Sequence, residues 1–282
     1  MLRALPRAQC SLYTSVKRSG ELRHSVCRRA VSTIRSGSIE ASMVFDKGVT
    51  LYTAGTPNGW KANMIIEELK IPYKLHAIKL SDNDQKQEWF LKINPNGRIP
   101  AIVDHDEGDL PVFESGAIMI HLAEKDPNGT FLPKDTKKKA EVISWLMFQM
   151  GGIGPMQGQA NHFVRYAPEK IEYGIKRYTN ETKRLYGVIE KHLASGKEWL
   201  AADQYTIADM ANFAWIAWHD WAGVQIDDMP HLQKWMKRIE ERAAIQKAMD
   251  IPEPSFVKQY ENDPQKKQEM IDGAKKFMGS QK

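Results

Sequence analysis

The sequence predicts an α/β domain followed by an all-helical domain, and three observations predict it. Over residues 47–126, short strand-length runs alternate with helical periodicities; over 136–250 only helical periodicity remains; and 127–135, with two prolines and a glycine, has the composition of a linker. At 282 residues the chain is long enough for two ordinary domains, and its 42% apolar and 27% charged content is that of a globular protein.

Residues 49–53 alternate as a strand. Thr56-Pro57 then supplies a helix N-cap and a first-turn proline, and Trp60, Met64, Ile65 and Leu69 recur at helical spacing until Pro72. Residues 73–80 read as a second strand, 84–92 as a short helix with Trp89 and Phe90 inward, and 94–97 as a turn. Strands at 98–103 and 110–113, joined by the turn-rich 104–109, predict a hairpin, and 115–125 a closing helix. The first two strands, separated by a helix, must be parallel. Strand, helix, strand, helix, strand, strand, helix is the order of a thioredoxin-like sheet.

The second domain predicts helices over 136–150, 168–195, 207–222 and 230–249. Thr206 and Asp209 form a capping box at the start of the third. Gly151, Gly152, Gly154 and Gly158 lack the Lys-Ser/Thr and the preceding strand of a phosphate loop, so a bent, closely packed helix end is the better reading. Residues 251–282 are polar and mixed in charge, and read as a solvated extension on the surface.

Charge is concentrated at one end. Residues 1–42 hold eight Arg and Lys against two acids, a net of +6, while the remainder has 32 basic and 33 acidic residues. A nearly neutral body argues against nucleic acid as a partner, since phosphate binding needs a basic face. No apolar run reaches the roughly 18 residues that span a bilayer. The Arg/Ser-rich, acid-poor first 42 residues match a mitochondrial transit peptide; the alternatives are a disordered tail or a start at Met43, with a cytoplasmic product. Both cysteines, Cys10 and Cys27, lie in that segment, so the body has no cysteine nucleophile or thiolate metal site, and any thiol chemistry needs a borrowed sulfur. The histidines show no ligand spacing, which predicts no metal. Ser115 lacks the Gly-x-Ser-x-Gly elbow of a serine hydrolase.

Two features carry binding chemistry. Glu114-Ser115 at a helix start presents unpaired N–H groups for a carboxylate beside an acid for an ammonium, which suits an α-amino acid end; an ordinary N-cap has the same residues. Pro100 cannot donate to a ladder, so the Ile99 backbone beside it can receive an extended peptide as an added strand; a plain edge-strand proline is the alternative. Thr56 offers a hydroxyl at the start of the first helix, where a hydrogen bond to a thiolate contributes about 1.5–3 kcal/mol. Tyr52 points away from the core face that Val49 and Leu51 share. Asn161, His162 and Phe163 are candidates for a second-substrate pocket or for packing, and Trp215, Trp218 and Trp221, at spacing three, read as core.

Several phrases, in order, resemble the glutathione transferases and are most similar to their nu class: Thr-Pro-Asn-Gly at 56–59, Asn-Pro-Asn-Gly-Arg-Ile-Pro-Ala-Ile-Val-Asp at 94–104, Phe-Glu-Ser-Gly-Ala-Ile at 113–118, Gly-Gly-Ile-Gly-Pro-Met at 151–156 and Tyr-Gly-Ile-Lys-Arg-Tyr at 173–178. That class groups disulfide-bond oxidoreductases with the yeast nitrogen-regulatory prion protein. The resemblance spans about residues 49–250 and implies the glutathione transferase fold, glutathione as cosubstrate and a homodimer with its active site near the subunit boundary. It implies a cis Ile99–Pro100 bond with the Ile99 backbone on the cysteinyl unit, the γ-glutamyl end on Glu114 and Ser115, and Thr56 and Asn58 near the sulfur. Gln85 and Arg98 are implied near the glycyl carboxylate, and Arg177 reaching in from the helical domain; Trp89 stands where a Glu is more usual. The implied reactions are reduction of small disulfides or hydroperoxides, or conjugation of electrophiles. A non-enzymatic regulatory or interaction module is the alternative.

Overall fold

The computed structural model describes residues 47–254 and 263–280. The expectation of an import signal over 1–42 therefore lies outside the described residues.

The sheet holds β1 (Val49–Thr53), β2 (Tyr73–Ala77), β3 (Ala101–Asp104) and β4 (Leu110–Phe113) in the order β2-β1-β3-β4. β1 pairs parallel with β2, from Val49 opposite Tyr73, and antiparallel with β3, which pairs antiparallel with β4. With α1 (Pro57–Leu69), α2 (Glu88–Leu91) and α3 (Ser115–Glu124), this is the thioredoxin-like arrangement that the element order predicts. Val49 and Leu51 share the buried core with Trp60, Met64 and Ile65 of α1 and with Ile118 and Leu122 of α3. The opposite side carries a smaller cluster of Ile78, Phe90 and Ala101, with Tyr52 packed against it.

α2 is a single turn preceded by a 3-10 turn, Asp84–Lys86. Neighbouring residues on one turn point about 100° apart, so Phe90 and Trp89 do not both face inward. Phe90 is buried, whereas Trp89 is 41% exposed and lies against His76 and Tyr52, with ring centroids 5.0 and 6.1 Å away.

The second domain begins at α4 (Thr136–Phe148), capped by Asp135, whose carboxylate accepts from the Lys137 and Lys138 amides. A π-helical turn, Gln149–Ile153, leads into α5 (Gly154–Asn161), and a second, His162–Tyr166, follows. Pro155 has no N–H to donate to that first turn, which accounts for a widened bend where the glycines predict one. α6 (Glu172–Ala194), α7 (Ile207–Ile216), α8 (Pro230–Glu240) and α9 (Ala243–Met249) complete the domain.

The capping box at α7 is present, and Asp209 also accepts from the Leu200 amide at 3.0 Å and the Trp235 indole at 2.9 Å. Burial pushes its carboxyl up to about 6 against these hydrogen bonds. α7 stops at Ile216, earlier than its periodicity suggests, so Trp218 and Trp221 occupy the turns beyond and are buried there. The C-terminal segment also departs from expectation. Residues Pro264–Ser280 form a helix, α10, with Ile271 buried and Lys267 paired to Asp220 at 2.6 Å.

α1 is anchored across to the helical domain along its length. Lys61 Nζ donates to Gln149 Oε1 at 2.7 Å, and Asn63 Nδ2 donates to the carbonyls of Ala248 and Ile251 at 3.1 and 2.9 Å. Arg242 donates two hydrogen bonds to Glu68 at 2.6 and 2.8 Å.

Candidate functional site

The N-terminus of α1 opens on a cavity of about 480 Å³ that brings together Thr56, Asn58, Gln85, Arg98 and Ile99. Thr56 is the N-cap; its Oγ1 accepts from the Gly59 amide at 3.2 Å, so its hydroxyl proton remains able to donate. A side chain at 59 would place Cβ 2.2 Å from the Ala54 carbonyl, so only glycine lets the helix begin this close to the end of β1. Pro57 has no N–H and Gly59 gives its own to Thr56, which leaves the Asn58 amide for the cavity.

Asn58 is oriented from the other domain. Trp215 Nε1 donates to Asn58 Oδ1 at 2.9 Å. An indole N–H can only donate, so the carboxamide oxygen must face it and the NH₂ is directed elsewhere. Trp215 lines the same cavity. Its ring is core with Trp218 and Trp221, as the stripe predicts, and its polar atom in addition serves Asn58.

Pro100 is buried behind a cis Ile99–Pro100 bond, as the resemblance implies. The strand pairing of β3 begins at Ala101, so the Ile99 main chain lies just beyond the ladder and borders the cavity. Asn94 builds the preceding turn by donating to the Arg98 carbonyl at 2.7 Å while accepting from the Asn96 amide at 3.0 Å. Gln85 is 4% exposed, and its Oε1 has no hydrogen-bond partner among the described residues.

Glu114 and Ser115 border an adjoining cavity of about 250 Å³, with Asn58 and Trp215 as the wall shared with the first. Glu114 occupies the N-cap position with φ +69° and makes no capping hydrogen bond. Holding a non-glycine residue there costs of order 1 kcal/mol, and the ordinary N-cap explanation does not account for it. Its carboxylate is spared for another role.

The same cavity exposes Lys61, which sequence reasoning missed. Lys61 lies four residues before Ile65, on the buried face of α1, and that spacing was the available signal. Burial pushes its ammonium down to about 7, partly offset by the charge of Glu114.

Arg177 is placed elsewhere. It lies on α6 and lines a separate cavity of about 680 Å³ with Tyr173, Lys176 and Arg184. Asn161, His162 and Phe163 line neither cavity at α1; Phe163 stacks on Tyr178 at 5.4 Å. Tyr52 packs among His76, Trp89 and Phe90 and lines neither cavity at α1. Among the described residues no cluster of His, Cys, Asp and Glu has the makings of a metal site.

Residues 47–124 match the family profile described as "Glutathione S-transferase, N-terminal domain", and residues 158–243 match "Glutathione S-transferase, C-terminal domain". The chain belongs to the glutathione S-transferase family. Within this family it is similar to the disulfide-bond oxidoreductase YfcG of Escherichia coli, at 42% identity over 71% of this chain and 94% of the relative. It is also similar to the transcriptional regulator URE2 of Saccharomyces cerevisiae, at 32% identity over 72% of this chain and 68% of that protein. A solved glutathione transferase homologue from Lodderomyces elongisporus, with two glutathione molecules per subunit, superposes with a TM-score of 0.70 at 40% identity, covering 73% of this chain and 99% of that one. These likenesses identify a glutathione S-transferase of the type that joins disulfide-bond oxidoreductases with Ure2.

Proposed function

We propose that this glutathione S-transferase binds glutathione and uses its thiolate to reduce small disulfides. The observation that carries the reading is the pair of polar donors at the start of α1: the Thr56 hydroxyl and the Asn58 carboxamide, the latter turned by Trp215. A thiol of ordinary pKa near 8.5 is only a few per cent ionised at neutral pH, and lowering it by two units requires about 2.7 kcal/mol of preference for the thiolate. Two donors beside the positive end of a helix are sufficient. The body of the chain contains no cysteine, so the sulfur is the ligand's own.

In this reading the Ile99 main chain holds the cysteinyl unit, Gln85 and Arg98 the glycyl carboxylate, and Glu114 and Ser115 the γ-glutamyl end. The thiolate attacks one sulfur of the disulfide, the S–S bond breaks, and the other sulfur leaves as a thiolate that takes a proton. A second glutathione thiolate then attacks the resulting mixed disulfide, giving glutathione disulfide and the second free thiol. Two glutathione molecules supply the two electrons, and the redox balance closes.

Two glutathiones per subunit in the Lodderomyces homologue, and the disulfide-bond oxidoreductase named for YfcG, support disulfide reduction over conjugation of electrophiles or reduction of hydroperoxides. The test is steady-state turnover of a model mixed disulfide with glutathione, set beside conjugation of an aromatic electrophile. Undetectable disulfide reduction with brisk conjugation reverses the order. The likeness to URE2 favours a second reading, a regulatory module that retains the fold. Thr56→Ala and Asn58→Ala variants separate the two, since an unchanged cellular phenotype with abolished turnover favours the regulator. We also propose a homodimer, and mitochondrial import directed by residues 1–42; a reporter fused to those residues that stays cytosolic argues instead for a start at Met43.

A further inference from the structure

We propose that Lys61 and Gln149 form a buried receptor for the α-carboxylate of the γ-glutamyl unit, making that charge a requirement for binding. The inference rests on the glutathione reading above and adds two residues to the Glu114–Ser115 corner.

Lys61 and Gln149 are each 1% exposed, yet both border the cavity of about 250 Å³ beside Glu114 and Ser115. A buried ammonium is expensive unless its hydrogens are used. Here one donates to Gln149 Oε1 at 2.7 Å and another meets the Met150 thioether at 3.2 Å, a weak acceptor. Gln149 Nε2 has no partner among the described residues, and Ser115 Oγ finds only the same Met150 sulfur, at 3.8 Å. Two donors thus share one soft atom, and a third, the Gln149 amide, has none. A carboxylate accepts several hydrogen bonds and adds a second negative charge beside Lys61 to that of Glu114, so one group answers all three donors.

The geometry is specific to this purpose. Gln149 lies in the π-helical turn, where a Cβ on Gly154 would come within 2.7 Å of its Nε2. The glycine leaves room for a polar amide that the protein itself does not satisfy. Packing alone would favour methionine or leucine at 61, since replacing buried charge with apolar side chains is often neutral or stabilising. Glu114, the acid that faces Lys61, is then left for the ligand's ammonium, and the corner recognises a zwitterion by two opposite charges.

The experiment measures calorimetric binding to the full chain of S-methylglutathione, which has no thiol to titrate, and of its analogue in which 4-aminobutanoyl replaces γ-glutamyl and so lacks only the α-carboxylate. The wild type is expected to prefer the carboxylate-bearing ligand by about 10- to 100-fold, and Lys61→Met to reduce that preference to about 3-fold or less, mainly through weaker binding of S-methylglutathione. Gln149→Glu keeps an acceptor for Lys61 but turns the unpartnered donor into an anion, and is expected to lose the preference as well. If the folded variants retain the wild-type preference, the inference is overturned. If one variant fails to fold, the other decides. Failure of the wild type to bind either ligand overturns the glutathione reading itself, and this inference with it.

Discussion

The Trp215 indole N–H and the Asn58 carboxamide oxygen, 2.9 Å apart, lie 157 residues apart in sequence and in different domains. The helical domain thereby sets which way a side chain at the start of α1 faces.

Replacing Trp215 by Phe keeps most of the ring and removes the donor. Asn58 then loses the contact that orients it, and turnover of a model disulfide is expected to fall about 5- to 10-fold with a smaller change in KM for glutathione, in line with about 1 kcal/mol for one hydrogen bond. Equal kcat in wild type and Trp215→Phe would show that the amide needs no such support.

Thr56→Ala removes a donor to the sulfur and a helix cap together. The pKa of bound glutathione, read from thiolate absorbance against pH, is expected to rise by about 1–2 units. Unfolding stability is expected to drop by about 1 kcal/mol. Thr56→Ser should restore both, and a thiol pKa that does not move would remove Thr56 from the chemistry.

Asp209 makes a pH-dependent contribution to stability. Burial raises its folded pKa to about 6, whereas an unfolded Asp titrates near 4. Between these values the folded protein keeps a proton that the unfolded chain has lost, so this contribution favours folding at low pH and declines as pH rises from about 4 to 6. Denaturant melts across that window should show the slope in the wild type and not in Asp209→Ala. The variant should also lose about 3–5 kcal/mol, because the Leu200 and Thr206 amides and the Trp235 indole lose their acceptor.

Phe113 and Leu110 on β4 and Met147 on α4 are apolar and 37%, 43% and 46% exposed. If they lie in the interface of the proposed homodimer, Phe113→Asp should convert the dimer to a monomer in sedimentation or light scattering. A monomeric wild type would refute the dimer outright.

The sheet was legible because each strand carries its own period and Pro72 and Pro100 punctuate it. Thr56, Asn58, Gln85, Arg98 and Ile99 were legible as a group because the resemblance lies in short phrases at strand ends, where the chain converges on one cavity. Trp89 was misread because one turn of helix is too short for periodicity to tell its faces apart. Trp215 is core as its stripe predicts, but a stripe of tryptophans says where rings go and nothing about where an indole N–H points. Lys61 was visible in principle, as a charge at an apolar position, but its partners lie 88 and 89 residues away. Arg177 followed family likeness, and it lines another cavity with Tyr173 and Arg184.

α1 holds its place through Asn58, Lys61, Asn63 and Glu68, every one of them bonded to residues beyond the linker. Severing the chain between residues 127 and 135 would therefore strip the first half of the contacts that aim its own active-site helix. Neither fragment should work by itself, and mixing the two should revive activity only to the extent that they reassemble.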